Sequence, residues 1–173
     1  MTSPHPVPPE PPAAPKNGTS PSPAPLDDAR PTLTIRAAHS GDAVALSGLF
    51  AEWDYPRTPE FVRLSLAQLR PEQDQVLVAQ RGGAVIGFIS VHVLPTLHDA
   101  GVLAKITGFV VTQVARRGGV GRALLHAAEA WAAGRGATRI EIISGNRRTE
   151  AHRFYQAQGY AGTDQTRFLR ALG

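Results

Sequence analysis

The chain has 173 residues, and 42% of them are hydrophobic, enough for the core of one ordinary domain. With 0 cysteines it can form no disulfide, zinc-thiolate site, iron-sulfur cluster or cysteine nucleophile. Its net charge of +4 is uneven: residues 1–31 hold two basic and three acidic groups, 32–108 six and seven, and 109–173 ten and four. The excess in the last third suits a polyanion, whether nucleic acid, an acidic membrane surface or a phosphorylated small molecule.

Eleven of the 15 prolines lie in residues 1–31, a stretch that cannot bury enough apolar area to offset its ordering entropy and favours extended polyproline II segments. It is expected to be a disordered tail on a domain spanning 32–173. Pro6 to Pro9 and Pro8 to Pro11 have the PxxP spacing of SH3-type ligands, which also arises by chance at this proline density. The start has neither the basic nor the apolar region of a secretory signal, and no apolar run approaches the ~18 residues of a membrane span. A cytoplasmic protein is expected.

Leu33 and Ile35 mark a short strand, and Ser40 and Asp42 the capped start of a helix running to about Trp53. Thr58-Pro59-Glu60 opens a second helix through Leu69, stopped by Pro71. Val76–Ala79 and Ala84–Val91 flank Arg81-Gly82-Gly83 and predict a hairpin. A loop with Pro95, His98 and Asp99 precedes a strand over Val102–Val111. A helix follows over 119–133, with Val120, Leu124, Ala127 and Trp131 on one face. Arg139–Ile143 reads as a strand, Thr149–Gln158 as a helix, and Tyr160–Leu172 as one or two closing strands. The central strand-helix-strand unit implies a right-handed crossover and a parallel pair.

The segment from Val110 to Leu125 carries the chemistry. A strand runs into a glycine-rich turn that opens a helix, so free backbone N–H groups and the positive end of the helix dipole converge. Gly118, Gly119 and Gly121 let an anion reach the backbone, and Arg116, Arg117 and Arg122 surround it with charge. A P-loop would need Gly-Lys-Ser/Thr, which is absent. A dinucleotide fingerprint would need a small residue where Leu124 stands, although Glu141 imitates its acidic ribose ligand.

Arg116, Gly119 and Gly121 fill the pattern Arg/Gln-x-x-Gly-x-Gly/Ala, and the stretch from Asn146 through Ala151, Phe154, Tyr155, Gly159 and Tyr160 supplies an Asn-containing loop, an aromatic pair, a glycine and an aromatic. In both, residues 32–173 resemble the GNAT acetyltransferase superfamily. The resemblance implies an α/β fold: a mixed, largely antiparallel sheet with a central splayed parallel strand pair and flanking helices. It also implies acetyl-CoA-dependent N-acetylation of a primary amine on a small molecule or peptide.

By the same resemblance, backbone groups of Val110 and Val111 would bind the pantetheine arm, with Asn146 contributing. Arg116, Arg117, Gly118, Gly119, Val120, Gly121 and Arg122 would hold the pyrophosphate. Tyr155 would return a proton to the departing thiolate. Glu141, with His98 or Asp99 behind it, would be the base. Arg117 stands where relatives often have the first glycine, and Asn146 lies nine residues before Tyr155, two more than in many relatives. His126 and His152 fall on polar helix faces, His92 alternates with apolar strand residues, and none has metal-ligand companions, so no metal is expected. The rival readings are a non-catalytic acyl-CoA-binding regulatory module and a nucleic-acid binder. Against the second, no aromatic platform accompanies the basic residues. Neither a nucleic-acid nor a membrane partner is expected, and a homodimer is compatible with the chain.

Overall fold

The computed structural model describes residues 31–97 and 101–172. The proline-rich tail through residue 30, together with His98 and Asp99, lies outside the described residues.

Strand β1 (Leu33–Ala37) leads through a single tight turn, Ser40–Asp42, into helix α1 (Ala43–Glu52). The expected cap at Ser40 falls instead on its neighbours: His39 Nδ1 accepts the Gly41 N–H, and Asp42 Oδ2 accepts the His39 N–H at 2.9 Å. Asp42 is buried and held in a fork by Arg36, 2.7 and 2.8 Å from its two oxygens, which keeps its carboxyl below the ordinary range. Helix α2 (Pro59–Ala67) starts as expected, with Thr58 Oγ1 accepting the Phe61 N–H and proline at the first position.

The sheet follows: β2 (Asp74–Arg81), β3 (Ala84–Pro95), β4 (Val102–Val111), then helix α3 (Val120–Ala133), β5 (Ala137–Ile142) and helix α4 (Thr149–Ala157). Gly82 and Gly83 take φ of +56° and +83° in the two-residue β2–β3 turn, the mirror-image geometry that matches strand twist. Strand order is β1-β2-β3-β4-β5, antiparallel except for the parallel β4–β5 pair.

One core lies between the sheet and α3, built on Leu77, Ile89, Val91 and Ile106 against Val120, Leu124, Leu125 and Ala128. The second face packs Val78, Phe88 and Val110 against Leu46 and Leu49 of α1 and Val62 of α2. The α3 stripe is rotated from the expected one. Ala128 and Ala132 are buried, whereas Ala127 and Trp131 lie at its margin and Trp131 stacks on the Arg135 guanidinium at 4.0 Å.

The closing strands expected over Tyr160–Leu172 do not form: 160–172 has no regular structure. Tyr160 packs at the core margin, but Phe168, Leu169 and Leu172 are exposed. Phe168 and Leu169 are consecutive, so a strand there would point them to opposite faces and bury only one. The parallel pair is therefore at one edge of the sheet among the described residues.

Candidate active site

β4 and β5 pair only from Val102↔Ala137 to Ile106↔Ile142. Beyond that point β5 ends, while β4 continues to Val111 bonded, among the described residues, only to β3, through Ile89↔Phe109, Phe88↔Val110 and Gly87↔Val111. A bulge lies at the parting, since Ser90 pairs with Gly108 and Val91 with Ile106, leaving Thr107 over. Such an extra residue bends and twists its strand, turning β4 away from β5. On the far side of the gap, just past the end of β5, the Ser144 hydroxyl is shielded from solvent without a hydrogen-bond partner among the described residues.

The open stretch of β4 delivers the chain to the glycine-rich turn. Glu52, at the end of α1, fixes the start of that turn by accepting the Thr112 hydroxyl at 2.8 Å and the Gln113 N–H at 3.1 Å. Arg116 Nε donates to the Val111 carbonyl at 3.1 Å, holding the turn against the strand end. Arg117 then takes a left-handed φ of +62° and Gly119 one of +78° as the helix cap. The cap residue Gly119 brings no side chain to α3, and the helix's first turn has no acidic residue. The N–H groups that open α3 thus face outward without intrahelical acceptors, at the positive end of its dipole.

A cleft of about 810 Å³ runs along this turn. Phe109, Val110, Val111, Arg116, Arg117, Gly119, Gly121 and Arg122 form one wall; Arg147, Arg148, Glu150, Phe154 and Tyr155 form the other, with Glu52 and Trp53 at one end. The Arg148 guanidinium lies 5.9 Å from the Trp53 ring. Tyr155 packs against Phe109 and Phe154, with ring centroids 6.3 and 5.5 Å away. Burial pushes its phenol above the ordinary value, with Arg148 opposing, so the ring keeps its proton at neutral pH.

Most of the expected residues converge here, and four do not, the first being Gly118, which precedes the α3 cap and does not line the cleft. Val120 is buried in the α3 core, so it offers the cleft its backbone alone. Asn146 is exposed and does not line the cleft, whereas its neighbours Arg147 and Arg148 do. Glu141 is also outside it, with its carboxylate 2.9 Å from Lys105 Nζ in the paired part of the two strands. Leu124, where a dinucleotide loop would need a small residue, is fully buried. The sequence reading missed Trp53, Glu52, Arg147 and Arg148. The last two stand in the counted basic excess, while the first two reach the cleft only because α1 packs across the end of β4.

The Acetyltransferase (GNAT) family model matches residues 28–160. The chain is 32% identical over 151 residues to an aminoalkylphosphonate N-acetyltransferase of Salmonella typhimurium, covering 84% of this chain and 96% of that protein. It is 36% identical over 106 residues to an aminoglycoside N(6')-acetyltransferase type 1 of Klebsiella aerogenes, covering 58% of this chain and 67% of that one. Among solved structures, the aminoglycoside N-acetyltransferase AAC(6')-Iy in complex with CoA superposes with a TM-score of 0.73 at 18% identity, covering 84% of this chain and 99% of that one, a likeness of fold.

Proposed function

The chain belongs to the GNAT family of N-acetyltransferases, and we propose that it transfers the acetyl group of acetyl-CoA to a primary amine on a small molecule. The observation that carries this reading is the half-paired end of β4 leading into an uncapped helix start ringed by Arg116, Arg117 and Arg122. Such an arrangement suits a long, polar, polyanionic cofactor. The unpaired backbone edge of Phe109–Val111 accepts an extended amide-bearing arm as a further strand would be accepted, and the turn offers N–H groups to a pyrophosphate.

Acetyl-CoA supplies an activated thioester whose leaving group is a thiolate. The protein's own residues hold it and manage protons. The turn from Arg116 to Arg122 neutralises the phosphates, and Gly119 and Gly121 leave the backbone uncovered. Tyr155, kept neutral by burial, donates its proton to the departing sulfur. The acceptor amine approaches where β4 and β5 part, beneath Trp53 and the end of α1. The Salmonella relative's name makes aminoalkylphosphonates the first acceptors to try, and the Klebsiella relative's makes aminoglycosides the second.

The test is thiol release from acetyl-CoA with 2-aminoethylphosphonate, kanamycin and a panel of simple primary amines. Release that depends on the amine and yields an N-acetyl product is the expected result. Acetyl-CoA that is neither bound nor consumed with any of them would overturn the reading. Binding without turnover would favour the regulatory-module alternative.

A further inference from the structure

Outside the cleft, three strands bring together a hydrogen-bonded chain that the reading above does not use. Asp74 opens β2 and stands opposite His92 of β3. Asp74 Oδ1 lies 2.9 Å from His92 Nδ1, and His92 Nε2 lies 2.7 Å from Thr107 Oγ1 of β4. Ser90 Oγ sits 3.2 Å from both His92 Nε2 and Thr107 Oγ1. Arg70 secures the far side, its backbone N–H and its Nε each donating to Asp74 Oδ2 at 2.9 Å.

The direction of this chain is set by its acidic end. Asp74 is buried, and the Arg70 guanidinium beside it, helped by His92, holds its carboxyl well below the usual range against the cost of burial. An ionised carboxylate can only accept, so Nδ1 of His92 carries the proton and donates to it. In the neutral ring, Nε2 is then the lone pair that faces the Thr107 hydroxyl and accepts from it at 2.7 Å. In this order the carboxylate orients the imidazole without taking a proton, and the imidazole and hydroxyl form the proton relay.

The relay ends at a significant place. Thr107 is exposed, is the bulged residue of β4, and is the first residue past the last β4–β5 pair, Ile106↔Ile142. Phe88, Ser90 and His92 alternate onto one face of β3, and Phe88 packs with α1. The hydroxyl therefore stands at the mouth of the gap, on the face where α1 and α2 lie.

We propose that His92, oriented by Asp74, takes through the Thr107 hydroxyl the proton that an acceptor ammonium must lose before it can attack. This rests on the acetyl-transfer reading. An ordinary primary amine at pH 7 is neutral in only about one molecule per 10³, so the bound ammonium needs a base nearby. Thr107 receives a proton from the ammonium as it passes its own to His92 Nε2. The freed nitrogen pair forms the C–N bond as the C–S bond breaks, and the sulfur takes the Tyr155 proton. The new amide nitrogen loses its second proton to restore Tyr155, and His92 releases its own to solvent. In sum, ammonium and thioester give amide, thiol and one proton. Among the described residues His92 faces Asp74 and Arg70 on one side and Lys105, with its partner Glu141, on the other.

The experiment compares wild type with His92→Gln, Thr107→Val and Thr107→Ser, with Ser90→Ala as a control for the hydroxyl cluster, using 2-aminoethylphosphonate or whichever amine of the panel above is turned over. All should keep the acetyl-CoA-induced rise in melting temperature. His92→Gln and Thr107→Val should lose about 10²-fold or more in kcat/KM at pH 7, and the deficit should shrink about tenfold per pH unit as the free amine neutralises itself. Thr107→Ser, which keeps the hydroxyl, should rescue most of the loss seen in Thr107→Val, and Ser90→Ala, outside the proton path, should keep the wild-type pH profile. Independently of turnover, the His92 ring resonances of the wild type should shift when the amine is added without acetyl-CoA.

A loss equal at every pH, an unchanged rate, or silent His92 resonances would each overturn the assignment. Thr107 is exposed, so its variants remain informative if His92→Gln fails to fold. A wild type that releases no CoA with any amine removes the acetyl-transfer reading and this proposal together; a competent wild type with an unaltered His92→Gln profile removes the proposal alone.

Discussion

The two halves of β4 are made of similar residues and do different work. From Val102 to Ile106 the strand is bonded on both edges, to β3 and β5; from Thr107 to Val111 it is bonded on one. In the first half an apolar side chain such as Ile106 serves the core, and the backbone is spent on the sheet. In the second half a row of backbone groups on the open edge is left for something else, although Val110 is as buried as many core residues. A change in the paired half should therefore be felt as stability, and one at the open half or the turn it feeds as binding or turnover.

The largest contrast should come from Gly121, in the first turn of α3 beside the open half. Acetyl-CoA at about 100 times its dissociation constant should stabilise the wild type by about 2.7 kcal/mol, seen as a raised melting temperature. Gly121→Glu should remove that shift and the turnover with it, because a carboxylate would stand where the pyrophosphate is expected and oppose it electrostatically. Gly121→Ala is the steric control: its Cβ would meet Phe154 Cζ at 3.4 Å, an ordinary contact, and the backbone there is helical. Retention of the full shift in Gly121→Glu would mean that the open half of β4 serves some other ligand.

A smaller contrast separates two neighbours on α4. Tyr155→Phe keeps the ring stack with Phe109 and removes the hydroxyl, so turnover should fall about 10²-fold with acetyl-CoA binding little changed. Phe154→Leu should instead cost about 1 kcal/mol of stability through lost packing against Phe109, leaving the rate per folded molecule nearly intact. Comparing melting temperature and kcat for the pair decides it. Full turnover in Tyr155→Phe with a lowered melting temperature would make Tyr155 a packing residue.

How much of this was legible in the sequence follows the range over which the signals act. The β4–turn–α3 segment is contiguous, so the glycines and arginines between 116 and 122 could be read together. The β2–β3 hairpin announced itself by Gly82-Gly83 in the same way. The Asp74–His92–Thr107 chain could not be read, because its members are 18 and 15 residues apart and meet only through antiparallel register and a one-residue bulge. Along β3, His92 reads merely as a polar residue alternating with apolar ones. The closing strand failed for the opposite reason: β-forming residues were present in 160–172, but no alternation told them which face to bury. The resemblance implied Asn146 at the pantetheine arm in spite of its two-residue longer spacing to Tyr155, yet Arg147 and Arg148 of the loop before α4 line the cleft instead.

The smallest expected effect lies in the paired half and decides between two candidate bases. Glu141 and Lys105 are cross-strand partners in a half-exposed ion pair near the surface, and pairs of this kind contribute only about 0–1 kcal/mol. Glu141→Gln should therefore lower stability by less than about 1 kcal/mol and leave the pH dependence of kcat/KM as in the wild type. The reason is positional: to act on an amine at the gap, Glu141 would have to release Lys105 and reach past the last paired residues, whereas Thr107 already stands at the opening with its hydroxyl on His92. The acidic limb of the profile reports the base of the free enzyme. If Glu141→Gln abolishes that limb while His92→Gln leaves it in place, the base belongs to β5 and the paired half of β4 takes part in chemistry after all.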